Sequence, residues 1–248
     1  MKLKNKVVYI TGGGSGIGKA CALAFAKEGC KVVIADIDEK NGKKVVKQIE
    51  KMGGKAHAIA VDTSDSAAVK DSIDETIKKF KKLDIAVNNA GIGGPQKTTH
   101  NYPLDGWHDV IDINLNGVFY GMKYQLPHIL KSKGSIINMA SILGAVGTPQ
   151  SPAYVAAKHG VIGLTKASAL AYAGKGVRIN AVGPGYVKTP LVTENISDKQ
   201  MKQLVAAHPV GRLGKPEEIA ELVLLLASER ASFVTGSYYN IDGGYLAQ

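Results

Sequence analysis

Residues 6–36 read KVVYITGGGSGIGKACALAFAKEGCKVVIAD, and this stretch decides the fold. An apolar run, Lys6–Thr11, meets a glycine-rich turn. Apolar residues then recur at Ile17, Cys21, Ala24 and Phe25, the i, i+4, i+7, i+8 spacing of a helix face. A second apolar run, Lys31–Asp36, closes the unit. Strand, helix and strand at this spacing predict parallel strands joined by a right-handed crossover. The glycines let the backbone turn sharply and approach a pyrophosphate, and the helix start offers amides and the positive end of a dipole. The pattern is T-G-x-x-x-G-x-G over Thr11–Gly18, because Lys19 stands where G-x-G-x-x-G needs its third glycine.

The alternation continues to the C-terminus. Further strands are predicted at His57–Val61, Ile85–Asn88, Ser135–Ala140, Arg178–Val182 and Tyr239–Ile241. Helices are predicted near Gly16–Glu28, Glu39–Met52, Ser66–Lys79, Leu104–Lys131, Tyr154–Ala173 and Pro216–Ser228. The fold class is therefore α/β: a three-layer, doubly wound (Rossmann) parallel sheet of about seven strands with helices on both faces. With no repeat or low-complexity linker, residues 1–248 read as a single domain. A chain this long buries roughly 70–75% of its unfolded surface and needs no staples, so Cys21 and Cys30 read as reduced core residues. Only Val7–Ile10 precedes the glycines as an apolar run, which predicts no signal peptide. The longest apolar stretch, Leu222–Ala227, is too short to span a bilayer. A soluble, cytoplasmic protein with no membrane partner is expected.

The net charge is +10. Residues 1–55 hold twelve lysines against five acids, so +7 of it lies there. The lysines of Glu39–Met52 fall off its apolar stripe Val45, Val46 and Ile49. Arginine, the usual base reader, occurs only at 178, 212 and 230, without aromatic interleaving. This reads as a solvated lysine face that steers anions weakly, with no nucleic-acid partner.

Ligands in doubly wound sheets bind at the strand C-termini, and the polar candidates cluster there. Asp36 follows Gly18 by 18 residues, where a dinucleotide fold places the partner of the adenosine ribose hydroxyls. Its carboxylate repels a 2′-phosphate, and neither Ile37 nor Gly13–Ser15 supplies a cation, so NAD(H) is preferred over NADP(H). Asp62 has two readings, a contact to the adenine amino group or an Asx turn. The small residues of Asn88-Asn89-Ala90-Gly91 let a cofactor lie flat across the sheet edge. Asn114 sits inside a helical pattern, where asparagine is unfavourable; it is there for a purpose or lies exposed. Residues 141–160 read SILGAVGTPQSPAYVAAKHG and put Tyr154 and Lys158 one helical turn apart on one face. A fixed charge about 4 Å from a phenol favours phenolate by up to roughly 4 kcal/mol at an effective dielectric of ~20. The spacing thus predicts a tyrosine made acidic by its lysine, able to act as acid or base near neutral pH. Pro184–Pro190 forms a rigid turn, and Lys188–Pro209 reads as either a closing lid or an ordinary surface helix. The histidines show no ligand spacing, and no metal site is indicated.

Together TGGGSGIG, Asp36, Asp62, NNAG, Asn114, Ser141, Tyr154-x-x-x-Lys158 and Pro184-Gly185 resemble the short-chain dehydrogenase/reductase family, over essentially the whole chain. Ser141 stands thirteen residues before Tyr154 and Asn114 twenty-seven before Ser141, as that resemblance requires. NNAGIGG, NMASI, GPGYVKTPL, HPVGRLGKPEE and YYNIDGGY look most like bacterial NAD-dependent ketoreductases and secondary-alcohol dehydrogenases. The resemblance implies a catalytic set of Asn114, Ser141, Tyr154 and Lys158. Tyr154 would carry the proton, Ser141 would bond the substrate oxygen and Lys158 would hold the nicotinamide ribose. Asn114 would orient a helix carbonyl and a water. It further implies cofactor contacts from Gly12, Ser15, Gly16, Ile17, Gly18, Asp36, Ile37, Asp62, Thr63, Asn89, Ala90, Gly91, Tyr154, Lys158, Pro184, Gly185, Val187 and Thr189. Loop position adds Ser141, Ile142, Ile92, Gly93, Tyr186, Leu191 and Val192 as substrate contacts; these are mostly apolar and suit a small hydrophobic ketone or its alcohol. A sugar dehydrogenase or a 3-oxoacyl-carrier-protein reductase shares the skeleton and is the alternative. The resemblance also implies a homotetramer.

Overall fold

The computed structural model describes residues 3–194 and 196–248. The strands are β1 Val7–Thr11, β2 Lys31–Asp36, β3 Lys55–Ala60, β4 Ile85–Asn88, β5 Ser135–Met139, β6 Arg178–Pro184 and β7 Tyr238–Ile241. They form one parallel sheet ordered β3-β2-β1-β4-β5-β6-β7. The helices are α1 Gly16–Lys27, α2 Glu39–Lys51, α3 Ser66–Phe80, α4 Leu104–Ile111, α5 Gly117–Ser132, α6 Pro152–Tyr172, α7 Pro190–Thr193, α8 Asp198–Ala206 and α9 Pro216–Ala227. Strand order reverses between β1 and β4, and the loops leaving those two strands open the crevice at the sheet edge.

Alternation along β1 sorts its side chains to two cores. Val8 and Ile10 join Phe25, Val45, Ile49, Val223 and Leu224 on the face covered by α1, α2 and α9. Val7 and Tyr9 join Val69, Ile73, Met122, Ile129 and Val161 on the face covered by α3, α5 and α6. Both faces are dry, which is why the strands read as unbroken apolar runs. The Tyr9 hydroxyl, deep in the second core, is satisfied by Ser72 Oγ at 2.7 Å. No helix among the described residues is long and apolar enough to cross a membrane.

Two expectations need correction, and the open reading of 188–209 gains its helices. The segment predicted as one helix over Leu104–Lys131 is α4 and α5 joined through a π turn at Asp112–Asn116. Segment 188–209 holds the short helix α7 and then α8, whose start is fixed by a reciprocal cap between Ser197 and Gln200. Strand β3 begins two residues earlier than predicted, at Lys55, and as the sheet's edge it alternates too weakly to mark its own start.

Candidate active site

The turn after β1 is built for close approach. Gly12 has φ +62, and a Cβ on it would stand 2.9 Å from Asn89 Nδ2. A Cβ on Gly18 would strike the Gly12 carbonyl, so α1 packs directly on the turn. Thr11 Oγ1 accepts the Asn89 and Ala90 amides at 2.9 and 3.0 Å, while Asn89 Nδ2 donates to Thr11 O at 3.0 Å. The ends of β1 and β4 are thereby clamped together. Asp38 and Asp65 cap α2 and α3, but Ser15 caps α1 with no side-chain bond and no acid lies in its first turn. The α1 amides are left for an anion.

Asp36 ends β2 beside the glycine turn. One oxygen accepts the Gly14 amide at 2.8 Å and the other the Asp38 amide at 2.9 Å. Two backbone donors fix the carboxylate at the end of β2, and each oxygen keeps a lone pair for a further donor. Of the two readings of Asp62, the structure displays the turn: its carboxylate accepts from the Ser64 amide and hydroxyl at 2.9 and 2.7 Å. Ile37 is exposed and Thr63 buried, both away from the main cavity.

Ser141 starts a 3₁₀ turn, Ile142–Gly144, and its Oγ accepts the Leu143 amide at 3.2 Å. Pro152 at the first turn of α6 sets the helix that carries Tyr154 and Lys158. The Lys158 ammonium is buried, 5.4 Å from the Tyr154 ring centroid, and donates to the Met139 carbonyl at 2.8 Å. Burial pushes the Lys158 ammonium down to about 8. The Tyr154 phenol lies above its ordinary value: burial raises it, the Ser141 hydrogen bond lowers it, and Tyr186 raises it further. This corrects the expectation that Lys158 makes Tyr154 acidic. The spacing does bring the two together, and one of the ammonium's three donors is used on the Met139 carbonyl.

Asn114 is fully buried in the π turn. Its Oδ1 accepts the Ile92 amide at 2.9 Å and its Nδ2 donates to the Ile92 carbonyl at 2.8 Å. The exposed alternative is thus removed. The side chain braces the NNAGIGG loop, and a Cβ on Gly91 would stand 2.5 Å from Asn114 Oδ1. Each amide group makes one bond to the loop and keeps capacity for a second partner.

One cavity of about 630 Å³ runs from the glycine turn to the Ser141, Tyr154 and Lys158 cluster and beyond; Gly18, Asp36, Asp62 and Asn114 do not line it. Gly12, Ser15, Gly16, Ile17, Asn89, Ala90, Gly91, Pro184, Gly185, Val187 and Thr189 line one end. Ser141, Tyr154 and Lys158 stand in the middle, and Ile142, Gly93, Tyr186, Leu191 and Val192 line the other end. Ile92, expected there, packs instead with Val110, Ala153 and Ala157. Sequence reasoning missed Leu143 and an outer wall of Gln96, Gln150, Gln200, Gln203 and Leu204. The helical spacing of Gln200, Gln203 and Leu204 was a usable signal; Gln96 and Gln150 lie in loops with none. Apart from Lys158 no charged side chain lines this cavity among the described residues. No group of three His, Cys, Asp or Glu side chains there could hold a metal ion. The open α1 amides, the glycine-lined floor and the fixed carboxylate of Asp36 fit a nicotinamide dinucleotide.

Fold and site define an oxidoreductase that works on CH–OH groups with a nicotinamide cofactor. A family model described as enoyl-(acyl carrier protein) reductase matches residues 12–246. Cyclohexanol dehydrogenase of Acinetobacter sp. (strain SE19) is 49% identical over 248 residues, covering 100% of this chain and 97% of that one. The 3-oxoacyl-[acyl-carrier-protein] reductase FabG of Thermotoga maritima is 41% identical, covering 98% of this chain and 99% of that one. Among solved structures, levodione reductase superposes with a TM-score of 0.91 at 36% identity, covering 98% of each chain. The chain belongs to the short-chain dehydrogenase/reductase family.

Proposed function

We propose that this enzyme is an NAD(H)-dependent ketoreductase that interconverts a small, neutral, cyclic ketone and its secondary alcohol. The observation that carries the reading is a Ser141–Tyr154–Lys158 cluster in a cavity lined by no other charge among the described residues. A carboxylate or phosphate at the end lined by Ile142, Leu191 and Val192 would lose its hydration without a cation beside it, at a cost of several kcal/mol. A neutral ring loses little and gains the apolar contacts of Ile142, Leu191 and Val192. The 49% identity to a cyclohexanol dehydrogenase supports the cyclic class.

When bound, the cofactor supplies hydride to the carbonyl carbon in the reductive direction. Tyr154, held protonated by its burial, gives its proton to the substrate oxygen, and the Ser141 hydroxyl donates a second hydrogen bond there. Lys158 would hold the nicotinamide ribose hydroxyls with its remaining donors, and it stands 5.4 Å from the Tyr154 ring centroid, facing the phenolate that remains. The α1 amides receive the pyrophosphate. Val187 and Thr189 meet the carboxamide, and Asp36 accepts the adenosine ribose hydroxyls. Asp36 supports NAD(H) over NADP(H), because a 2′-phosphate would face a carboxylate already fixed by two amides. Residues 1–248 work as one dinucleotide-binding and catalytic domain, assembled as a homotetramer.

The deciding experiment compares kcat/KM for NADH and NADPH across cyclohexanone, 4-oxocyclohexanecarboxylate, a sugar and an acetoacetyl thioester. NADH with cyclohexanone should lead the acyl thioester and the carboxylated ring by at least about tenfold, roughly 1.4 kcal/mol. A lead for NADPH with the thioester overturns the reading in favour of a carrier-protein reductase.

A further inference from the structure

Strand β6 carries Gly183 in its interior, where glycine usually weakens a strand and marks a close backbone approach. Its φ is not in the left-handed region, so the backbone does not require glycine there. What requires it is Tyr238. In the β6–β7 register Tyr238 pairs with Ala181, which places its ring diagonally over Gly183. A Cβ on Gly183 would collide with the ring and hydroxyl of Tyr238. From that slot the Tyr238 hydroxyl donates to the Ser141 carbonyl at 2.8 Å, across 97 residues of sequence.

We infer that Tyr238, seated in the space Gly183 leaves, is a positioning residue for the reaction: it tethers the Ser141 backbone and so sets where the serine hydroxyl points. Tyr238 does not line the cavity, so it acts only through Ser141. A carbonyl can only accept, which fixes the phenol as donor. Burial and then Asp242 push the Tyr238 phenol up to about 12, so it stays protonated through the working range. The Ser141 carbonyl also accepts the Gly144 amide at 2.9 Å, and Ser141 Oγ accepts the Leu143 amide. The turn Ile142–Gly144 fixes this residue from the C-terminal side, the Ala140 amide bonded to the Val182 carbonyl at 2.8 Å holds the strand end before it, and Tyr238 anchors it from β7, two strands away. Without Tyr238 the carbonyl loses one of its two donors, and the tie to β7 is gone. Misplacement of a reacting group by about 1 Å can cost on the order of a hundredfold in rate.

The inference rests on the role proposed above for Ser141. The test is a double-mutant cycle of Tyr238→Phe and Ser141→Ala, read as kcat, ketone KM, NADH affinity and thermal midpoint. Tyr238→Phe removes one oxygen and keeps the ring over Gly183. Expected is a fall in kcat of about tenfold, with ketone KM and NADH affinity within about twofold of wild type. In the Ser141→Ala background the same substitution should change kcat by less than about twofold, because nothing is left to position. Equal factors in both backgrounds, or an unchanged kcat in Tyr238→Phe alone, overturn the tether while leaving the reading of Ser141 intact. A Ser141→Ala enzyme with wild-type kcat overturns that reading, and the tether with it. A purely structural Tyr238 would lower the thermal midpoint without separating kcat from KM.

Discussion

An ammonium held at 3% exposure by one carbonyl is costly to the fold. The Lys158 ammonium drops to about 8 in the fold, against ~10.4 for a free lysine. Between those values the unfolded chain binds a proton that the folded chain lacks, so stability from this group rises with pH across the window. Below pH 8 the full penalty applies, on the order of 3 kcal/mol. Lys158→Met removes it. The melting temperature of the cofactor-free variant, relative to wild type, should therefore be highest near pH 7 and fall by pH 10; a difference independent of pH would count against the buried charge. Tyr154 gives a second expectation at this scale. With the phenol raised by burial, ketone reduction needs the protonated form and should fade as pH rises, while alcohol oxidation needs the phenolate and should gain. Paired kcat/KM profiles that rise together would contradict this. Tyr154→Phe should lower kcat by about two orders of magnitude or more and leave NADH affinity largely intact. The approach of Tyr154 and Lys158 was legible from their four-residue spacing. The bond from Lys158 to Met139 was not, since a backbone carbonyl leaves no mark on a sequence.

The join between α4 and α5 shows the same division among elements. A helix over 104–131 is plain from its period, but a π turn adds one residue to one turn and barely disturbs the pattern. The hint was Asn114, a poor helix residue placed where its amide serves the neighbouring loop. Its two hydrogen bonds satisfy both polar groups of Ile92 in a partly buried loop. Asn114→Ala leaves both unpaired, and each costs about 1–3 kcal/mol. The two together cost about 2–6 kcal/mol, which for a chain of this size lowers the melting temperature by roughly 4–24 °C. Asn114→Asp keeps the acceptor for the Ile92 amide and loses the donor, so it should fall between wild type and alanine. Thermal melts of the three proteins check the order. A melting temperature for Asn114→Ala equal to wild type would mean the loop is braced elsewhere. Segment 188–209 was ambiguous for a related reason. Its cap at Ser197 and the shared face of Gln200, Gln203 and Leu204 were readable, whereas what that face turns toward depends on tertiary placement.

At the scale of the whole molecule, layer order and the crevice were written in the alternation of apolar runs, because a sheet buried on both faces forces it. Subunit contacts were not, since an apolar residue reads alike whether a helix or a second copy covers it. The structure separates the two cases. Leu104, Trp107 and Phe119, on α4 and α5, are exposed, and so are Leu170 on α6 and Phe233 in the turn before β7. The missing Cβ of Gly236 lies 3.3 Å from Ala169, which sets the 233–236 turn against the end of α6. Exposed apolar side chains thus stand on α4 and α5 and, separately, on α6 and the 233–236 turn. A tetramer of two-fold symmetry needs two self-complementary contacts, whereas a dimer needs one. In the proposed homotetramer each patch meets its own copy, and a charge at the centre of either breaks that contact alone. Phe119→Asp and Phe233→Asp should each shift the mass in light scattering from tetramer to dimer, and the double variant should be a monomer. A wild-type monomer, or a tetramer unmoved by both substitutions, would show that neither patch is an interface.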